Sequence, residues 1–387
     1  MKPKTAEHGL GWAFCCALLL CVAACCPCAG DSPWSDPDAN ATHPPRPRKD
    51  GAVVLSSPGG WLGQMTSDKT HLFWVRGHRD EARVMAVPKK GGATRTVLHP
   101  GHNVTRLQIF GDHAYVSTWS GLWRVALEPL RDDGGDVGQP LALVPKRLIK
   151  ARSRVNDVAV DKRHVVFCDD DRTIWRVDHG GGEPTEVMRL GPKGCARALN
   201  LGLSGGHLYW NNNELKAIHR VKLGKDGKPR GEPQVVVDDV FPSARHTFLF
   251  DGQGYLHFYR SIPTSFGRVK ASGGEVQWLE PRAGGHFEGV ALGDDFLYWG
   301  RGWARIGATG RSGNRGRRGG YKAGRKKGEG GVMRVSLKES AKEGSAGTSV
   351  NLVDDVQKVR GVAVDDRFVY WMDHYEGIIA KTALEED

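Results

Sequence analysis

The sequence predicts an all-β chain in which one unit of four short strands recurs about seven times. An aromatic pair, or a degenerate form of it, returns at intervals of roughly 40 to 50 residues. Turn residues are abundant, with 52 glycines and 20 prolines among 387 residues, and no long apolar stretch of 3.6-residue periodicity predicts a helix. A sheet of this size cannot bury both faces alone, so the copies must stack against one another.

The aromatic pair marks the second strand of each unit and is predicted to pack between neighbouring units. In the last copy, Val362–Asp365 forms a first strand, Val369–Asp373 a second and Gly377–Lys381 a third. In chain order the pairs are Phe73-Trp74, Tyr115-Val116, Val166-Phe167, Tyr209-Trp210, His257-Phe258, Tyr298-Trp299 and Tyr370-Trp371.

A cation followed by a β-branched residue marks the third strand, and one more β-branched run such as Val235–Val237 follows it. The markers are Arg83-Val84, Arg124-Val125, Arg176-Val177, Arg220-Val221, Arg268-Val269, Arg334-Val335 and, in a weaker form, Ala380-Lys381. Two strands before a polar loop and two after it make one blade.

The last copy stops after three strands, while Ala52–Leu55 precedes the first full unit without a partner. Pairing these segments would remove the two exposed sheet edges that an open array leaves. We therefore predict a seven-bladed β-propeller of four-stranded antiparallel blades, closed by the N-terminal strand, over residues 51–387. Because the second and fifth copies are degenerate, six or eight blades remain open alternatives.

Residues 1–30 have the pattern of a signal peptide, with Lys2 and Lys4 ahead of an apolar run from Leu10 to Ala24. The run is shorter than the roughly 20 residues that span a bilayer. Val22–Cys25 resembles a bacterial lipobox, which would make Cys25 the lipidated first residue of the mature protein. Ordinary cleavage near Gly30 is the alternative. The protein is thus expected to be exported, either lipid-anchored at the cell envelope or secreted.

Two segments are predicted to be disordered. Residues 31–50 are rich in proline and indicate an extended tether. Residues 301–331 form a glycine- and arginine-rich insertion in blade six, with ten basic side chains against one acid, and carry most of the formal net charge of +11. The candidate polyanion-binding residues are Arg311, Arg315, Arg317, Arg318, Arg325, Lys326 and Lys327. For an exported protein we expect an envelope polyanion rather than nucleic acid; the alternative is a solvated insertion without a specific partner.

Six of the eight cysteines lie in the signal region, which leaves Cys168 and Cys195 in the folded part. Both are predicted on the same face of the propeller, where they could form a disulfide in an oxidising compartment. Two unpaired thiols are the alternative. No CxxC or close Cys/His cluster accompanies either residue, so we predict no metal site.

The end of each second strand predicts a candidate ligand-binding face. The residue two places after each pair is expected to leave the strand on one face, beside exposed loop aromatics, as recognition surfaces often have them. These positions are Arg76, Thr118, Asp169, Asn212, Arg260, Arg301 and Asp373, and the loop aromatics are Trp119, Trp303 and Tyr375.

An active site, if present, is expected at the mouth of the central channel. The candidates are Asn156, His246, His286, Glu288 and Arg360. A pair such as His286 and Glu288 could transfer a proton. No nucleophile elbow, metal signature or phosphate loop accompanies them, so no cofactor is expected and no residue is assigned a catalytic role.

Tyr370–Asp373 followed by Gly377–Ile379 resembles the Tyr-Trp-Thr-Asp repeats of low-density-lipoprotein-receptor class B propellers. Val362–Asp365 and Gly289–Leu292 resemble the first strands of those repeats and of NHL or streptogramin-lyase-like propellers. The acid at the fourth position of the motif occurs only at Asp169 and Asp373. The resemblance implies a propeller that binds other molecules. We therefore expect a non-catalytic binding or scaffold module for a protein or polyanion; a lyase or lactonase acting at the channel is the alternative.

Overall fold

The computed structural model describes most of the chain after residue 50, and these residues belong to one compact unit, Asp36–Asp387. The described residues are 42–43, 46–48, 51–132, 143–151, 153–191, 200–212, 216–240, 248–261, 264–280, 286–302, 330–338, 347–354, 356 and 358–384. The predicted signal peptide, most of the tether and residues 303–329 of the basic insertion lie outside them.

Seven sheets of four antiparallel strands are arranged as consecutive blades of a β-propeller, as predicted. From first to fourth strand, blade one is Leu62–Ser67, His71–Arg76, Arg83–Pro88 and Arg95–Leu98; blade two is Val104–Phe110, His113–Thr118, Gly121–Ala126 and Pro145–Lys150. Blade three is Val155–Val160, Val165–Asp169, Thr173–Val177 and Thr185–Arg189; blade four is Leu201–Ser204, His207–Asn212, Ala217–Leu223 and Pro229–Val237. Blade five is Phe248–Phe250, Tyr255–Ser261, Thr264–Lys270 and Gln277–Glu280; blade six is His286–Leu292, Phe296–Gly302, Gly331–Ser336 and Val350–Asp354.

Blade seven confirms closure by the N-terminal strand. Its first three strands are Val359–Val364, Phe368–Asp373 and Ile378–Ala383, and Val53–Ser56 supplies the fourth. Val53 is paired antiparallel with Lys381 and Val54 with Ala380. Minor elements are the strand Arg46–Pro47, which extends this sheet, the strand pair Thr42–His43 and Gly92–Ala93, the 3-10 turn Arg79–Glu81 and the short helix Glu128–Asp132.

The hydrophobic core lies at the seams between blades, with one apolar cluster at each of the seven seams. Trp74, Trp299 and Trp371 of the aromatic pairs are among its largest fully buried side chains. The prediction that the repeated aromatics pack between blades is therefore confirmed.

The third-strand marker was misplaced in blade one. In blades two, four and seven the marker cation lies opposite the first residue of the aromatic pair, for example Tyr115 opposite Arg124. In blade one, Phe73 instead lies opposite Ala86, and Arg83 lies opposite Arg76. Arg83-Val84 has the residue types of the marker but lies three residues before Ala86, the residue opposite Phe73. Strand register is set by pairing across the sheet, which a dipeptide alone does not report.

Two faces of the propeller follow from this topology. We call top face the one on which each second strand ends and each first strand begins, and bottom face the opposite one. The turns from second to third strand lie on the top face, and those from third to fourth strand lie on the bottom face. The predicted binding residues within the described ranges can be located with respect to these faces.

Candidate functional site

The seven second-strand positions predicted to bind ligand lie within the last two residues of their strands, at the top face. Thr118 and Asp373 are nevertheless fully buried. Thr118 Oγ1 donates to the carbonyl of Gly121 at 3.1 Å, and Asp373 Oδ1 accepts the N–H groups of Tyr375 at 2.7 Å and Glu376 at 3.2 Å. These side chains cap the turns that follow, so a ligand on this surface would contact their exposed neighbours.

Asp169 caps its turn in the same way. It is only 7% exposed; its Oδ1 accepts the N–H of Thr173 at 3.1 Å, and its Oδ2 accepts the indole N–H of Trp175 at 2.6 Å. The two aspartates at the fourth position of the motif thus have the same turn-capping role in blades three and seven.

The three arginines at second-strand ends are buried or half-buried. Arg76 is 8% exposed, and Arg301 is half-buried. The Arg260 guanidinium lies over the ring of Trp278, 4.4 Å from its centroid, and Nη1 is 3.9 Å from Asp239 Oδ2. Asn212 ends the second strand of blade four.

Two predicted aromatics are exposed on the top face. Trp119 is 46% exposed and Tyr375 is 64% exposed. The Arg154 guanidinium lies over Trp119 at 5.0 Å from the ring centroid, and Lys358 Nζ is 5.9 Å from the centroid of Tyr375. Trp303 lies outside the described residues. Both exposed aromatics therefore sit beside a cation.

Trp61 forms a third aromatic–cation group on this face that sequence reasoning missed. Arg360 lies over its ring at 5.5 Å, and His78 stacks on it at 6.4 Å between centroids. A Cβ at Gly63 would be 2.5 Å from Trp61 Cζ3, which shows how closely the indole lies on that backbone. The sequence signal for this group was Trp61, two residues before Gly63 at the start of the first strand of blade one.

Three candidates at the channel mouth occupy β-bulges, where extra residues of a first strand oppose the second strand. The register shifts across Asn156 in blade three, Glu288 in blade six and Arg360 in blade seven. Asn156 Nδ2 donates to Asp170 Oδ1 at 2.8 Å. His286 begins the first strand of blade six, and His246 lies outside the described residues. Convergence of the two histidines with Glu288 stays a prediction.

A buried carboxylate joins three blades beneath this rim. Asp157 is 1% exposed and accepts the N–H of Val158 at 2.7 Å and that of Leu201, in blade four, at 2.9 Å. Arg106 of blade two has its Nε 3.5 Å from Asp157 Oδ1. Desolvation raises the pKa of Asp157 to about 6, while Arg106 and the two N–H groups oppose that rise. Its burial makes it a structural ion pair rather than a ligand contact.

Several predicted sites are not tested by these residues. Cys168 is fully buried in blade three, whereas Cys195 lies outside the described residues, so their disulfide stays a prediction. Cys25 and the seven polyanion-binding candidates also lie outside. In the described ranges no group of three or more His, Cys, Asp or Glu side chains could hold a metal ion. No helix in that part of the chain is long and apolar enough to cross a membrane.

Comparison with solved structures identifies the class of protein as a β-propeller. The chain is similar to a catalytically inactive virginiamycin B lyase from Staphylococcus aureus with quinupristin, with a TM-score of 0.59, 14% identity, and coverage of 86% of this chain and 98% of that one. It is also similar to a streptogramin B lyase, with a TM-score of 0.58, 13% identity, and coverage of 86% of this chain and 97% of that one. The WD40 β-propeller domain of Doa1 matches with a TM-score of 0.53, 11% identity, and coverage of 87% of this chain and 98% of that one. No protein-family model matches the sequence, and the search of curated proteins gave no match. At these identities the similarity shows the fold alone.

Proposed function

We propose that the chain is a non-catalytic binding module whose top face captures a partner protein. The observation that carries this proposal is the location of the exposed aromatics. Among the described residues the exposed large hydrophobic side chains are Trp119, Tyr375 and three valines, and both aromatics lie in top-face turns. Tryptophan, tyrosine and arginine are enriched among the residues that dominate binding energy at protein interfaces.

The side chains around these aromatics suggest the chemistry of the partner. Trp119 is accompanied by Arg154, Tyr375 by Lys358, and Trp61 by Arg360. Each group offers an apolar ring and a cation that can form charge-assisted hydrogen bonds with a carboxylate. A partner surface with acidic residues next to apolar ones would be complementary to this arrangement.

The location and a second partner class are proposed from sequence alone. The proposal that a lipid anchor attaches the protein to the membrane of the cell envelope rests on residues 1–30 and on Cys25 in particular. Binding of an envelope polyanion rests on the basic residues within 301–331. Polyanion binding would depend strongly on salt because it releases counterions.

The test is a pull-down from envelope extracts with the Trp119→Ala/Tyr375→Ala variant. We expect this variant to lose a partner that the unchanged chain retains. The matched control is Val235→Ala/Val350→Ala, which truncates two other exposed hydrophobics on fourth strands. If the aromatic variant retained every partner and deletion of residues 301–331 removed them in a salt-dependent way, binding would belong to the basic segment.

The alternative is a lyase acting at the channel mouth. It is supported only by the shared fold with two lyases, which cover 86% of this chain. Incubation with quinupristin, followed by mass spectrometry, tests it with the natural chain and with His286→Ala and Glu288→Gln. Conversion that both variants abolish would support the lyase, whereas an unchanged substrate counts against this activity on quinupristin.

A further inference from the structure

A groove of about 540 Å³ separates the outer parts of blades two and three. One wall is the end of the fourth strand of blade two, including Leu148 and Lys150, and the other is the flank of blade three. The groove extends from Asp171 at the top face to Glu183 in the bottom-face turn between the third and fourth strands. Its volume lies within the range of about 300–1,000 Å³ typical of ligand pockets.

The base of the groove is apolar and aromatic. Leu148 and Phe167 are 4% and 3% exposed, and Trp175 is half-buried between them and solvent. The Trp175 indole is held in place by the 2.6 Å hydrogen bond that its Nε1 donates to Asp169 Oδ2. Asp169 is itself held by the N–H of Thr173. The groove therefore contains a fixed aromatic ring with a buried carboxylate at its edge.

Carboxylates outnumber cations among the residues that line this groove. Of the described residues in the lining, Asp169, Asp171 and Glu183 contribute carboxylates, and Lys150 contributes the one ammonium group. Asp171 and Glu183 are exposed residues, so their carboxylates can turn toward a bound ligand. The excess of negative charge beside an aromatic base favours a ligand that carries a positive charge on an apolar body.

We propose that this groove binds an organic cation, an ammonium or guanidinium group attached to an apolar or aromatic body. The body would pack on Phe167 and Trp175, where the aromatic faces also attract the cation. The charged group would form charge-assisted hydrogen bonds with Asp171 at the top-face end of the groove or with Glu183 at its bottom-face end. The cation can come from a free small-molecule amine or from a lysine or arginine side chain of a peptide.

This site is independent of the proposed partner surface. The exposed aromatics Trp119 and Tyr375 do not line the groove, and the top-face groups carry cations where the groove carries carboxylates. Loss of partner capture in the Trp119→Ala/Tyr375→Ala variant would therefore leave binding in the groove unchanged, and the reverse also holds.

The first experiment titrates the full chain with benzamidine and, separately, with its anionic isostere benzoate, using ligand-observed NMR. We expect benzamidine to bind and benzoate not to bind. The variant Asp171→Asn/Glu183→Gln should weaken benzamidine binding by about tenfold or more, because it removes charge-assisted hydrogen bonds. The matched control Glu232→Gln/Glu275→Gln removes two exposed carboxylates of blades four and five and should change binding less than about twofold.

A second experiment distinguishes the two sources of the cation. The uncharged-ended peptide acetyl-Leu-Arg-Leu-amide is compared with acetyl-Leu-Glu-Leu-amide and with benzamidine. Tighter binding of the arginine peptide than of benzamidine assigns the groove to basic peptide segments, and the opposite order assigns it to free amines. Equal binding of cationic and anionic probes, or benzamidine binding that the acidic double variant leaves unchanged, would overturn the proposal. Because both substituted residues are exposed, this variant is expected to fold, which its unfolding midpoint checks.

Discussion

The seam between blades seven and one and the seam between blades two and three share one inter-blade contact but differ in their outer halves. In both, the third-strand cation donates to a carbonyl in the bottom-face turn of the next blade. Lys381 Nζ donates to Lys89 O at 3.0 Å, and Arg124 Nη1 donates to His179 O at 2.6 Å. Arg220 makes the equivalent bond to Ala271 O at 2.9 Å between blades four and five. At these three seams the third-strand cation therefore clamps neighbouring blades together.

The seam between blades seven and one is filled with side chains. Leu55 from the N-terminal strand packs in one buried cluster with Trp74, Met85 and Met372. Beside it, Asp365 accepts from Lys89 Nζ at 2.9 Å and from Tyr370 Oη at 2.8 Å. Residues 57–61 join Val53–Ser56 covalently to blade one, whereas the same strand is attached to Ile378–Ala383 of blade seven only by sheet pairing. Closure of the ring therefore depends on that pairing and on the burial of Leu55.

The seam between blades two and three has an ionic inner part and an open outer part. Arg106 and Asp157 face each other near the channel, and Tyr115 Oη is 2.6 Å from His179 Nδ1 at the bottom face. Outside these contacts lies the carboxylate-lined groove. This propeller therefore does not require a filled outer seam, and the groove is available for a ligand.

The largest effect is expected at the closing seam. Leu55→Ala should lower the free energy of unfolding by about 2–5 kcal/mol, since the side chain is 1% exposed and a cavity would replace it. Urea unfolding followed by tryptophan fluorescence measures the change. The control Val235→Ala truncates an exposed residue and should stay within about 0.5 kcal/mol. A loss as small as that of the control would mean that Val53–Ser56 does not close the ring.

The second effect is a pH dependence of the free energy of unfolding, which arises from Asp157 at the seam between blades two and three. The pKa of Asp157 is raised from 3.8 to about 6, so the folded state holds its proton more tightly than the unfolded state does. Its stabilising contribution is complete below about pH 4 and is lost as pH rises through 6. At about 1.4 kcal/mol per pKa unit, this amounts to about 3 kcal/mol.

Asp157→Asn cannot titrate, which makes it the comparison for this prediction. The unfolding free energy of the natural chain minus that of the variant should be larger at pH 4 than at pH 7. Urea unfolding across this range measures both. Parallel pH profiles would show that Asp157 titrates equally in the folded and unfolded states.

The clamp provides the third effect. Arg124→Ala should lower the free energy of unfolding by about 1.5–3 kcal/mol, because it removes a partly buried hydrogen bond from a charged donor. Arg189→Ala is the control: that side chain is 66% exposed, and its nearest carboxylate contact is 3.8 Å long. Equal unfolding midpoints for the two variants would indicate that the repeated cation does not clamp the blades.

The smallest effect on stability is expected on the top face. Trp119→Ala and Tyr375→Ala should each change the free energy of unfolding by less than about 1 kcal/mol, since both side chains are exposed and lose only an exposed contact with Arg154 or Lys358. Thermal unfolding of each variant checks this. A large destabilisation would assign these aromatics to packing and weaken the case for a binding surface.

Much of the fold and part of the site could be predicted from the sequence. The pairs at Tyr209-Trp210 and Tyr370-Trp371 located second strands, and Ala52–Leu55 identified the closing strand. The marker of blade one was placed three residues early because a dipeptide does not report strand register. Thr118 and Asp373 were placed on the correct face, but turn capping buries their side chains.

By itself, the sequence determined that stacked four-stranded blades form a ring closed by the N-terminal strand, because repeated apolar positions must be buried by stacking and an incomplete copy requires a partner strand. It left six, seven or eight blades open, and the structure has seven. Only the tertiary structure decided which cations and aromatics remain available. Arg124 and Trp119 lie five residues apart, yet one clamps a neighbouring blade and the other is exposed beside Arg154. The groove between blades two and three depends likewise on how two sheets distant in sequence pack, which local residue patterns do not encode.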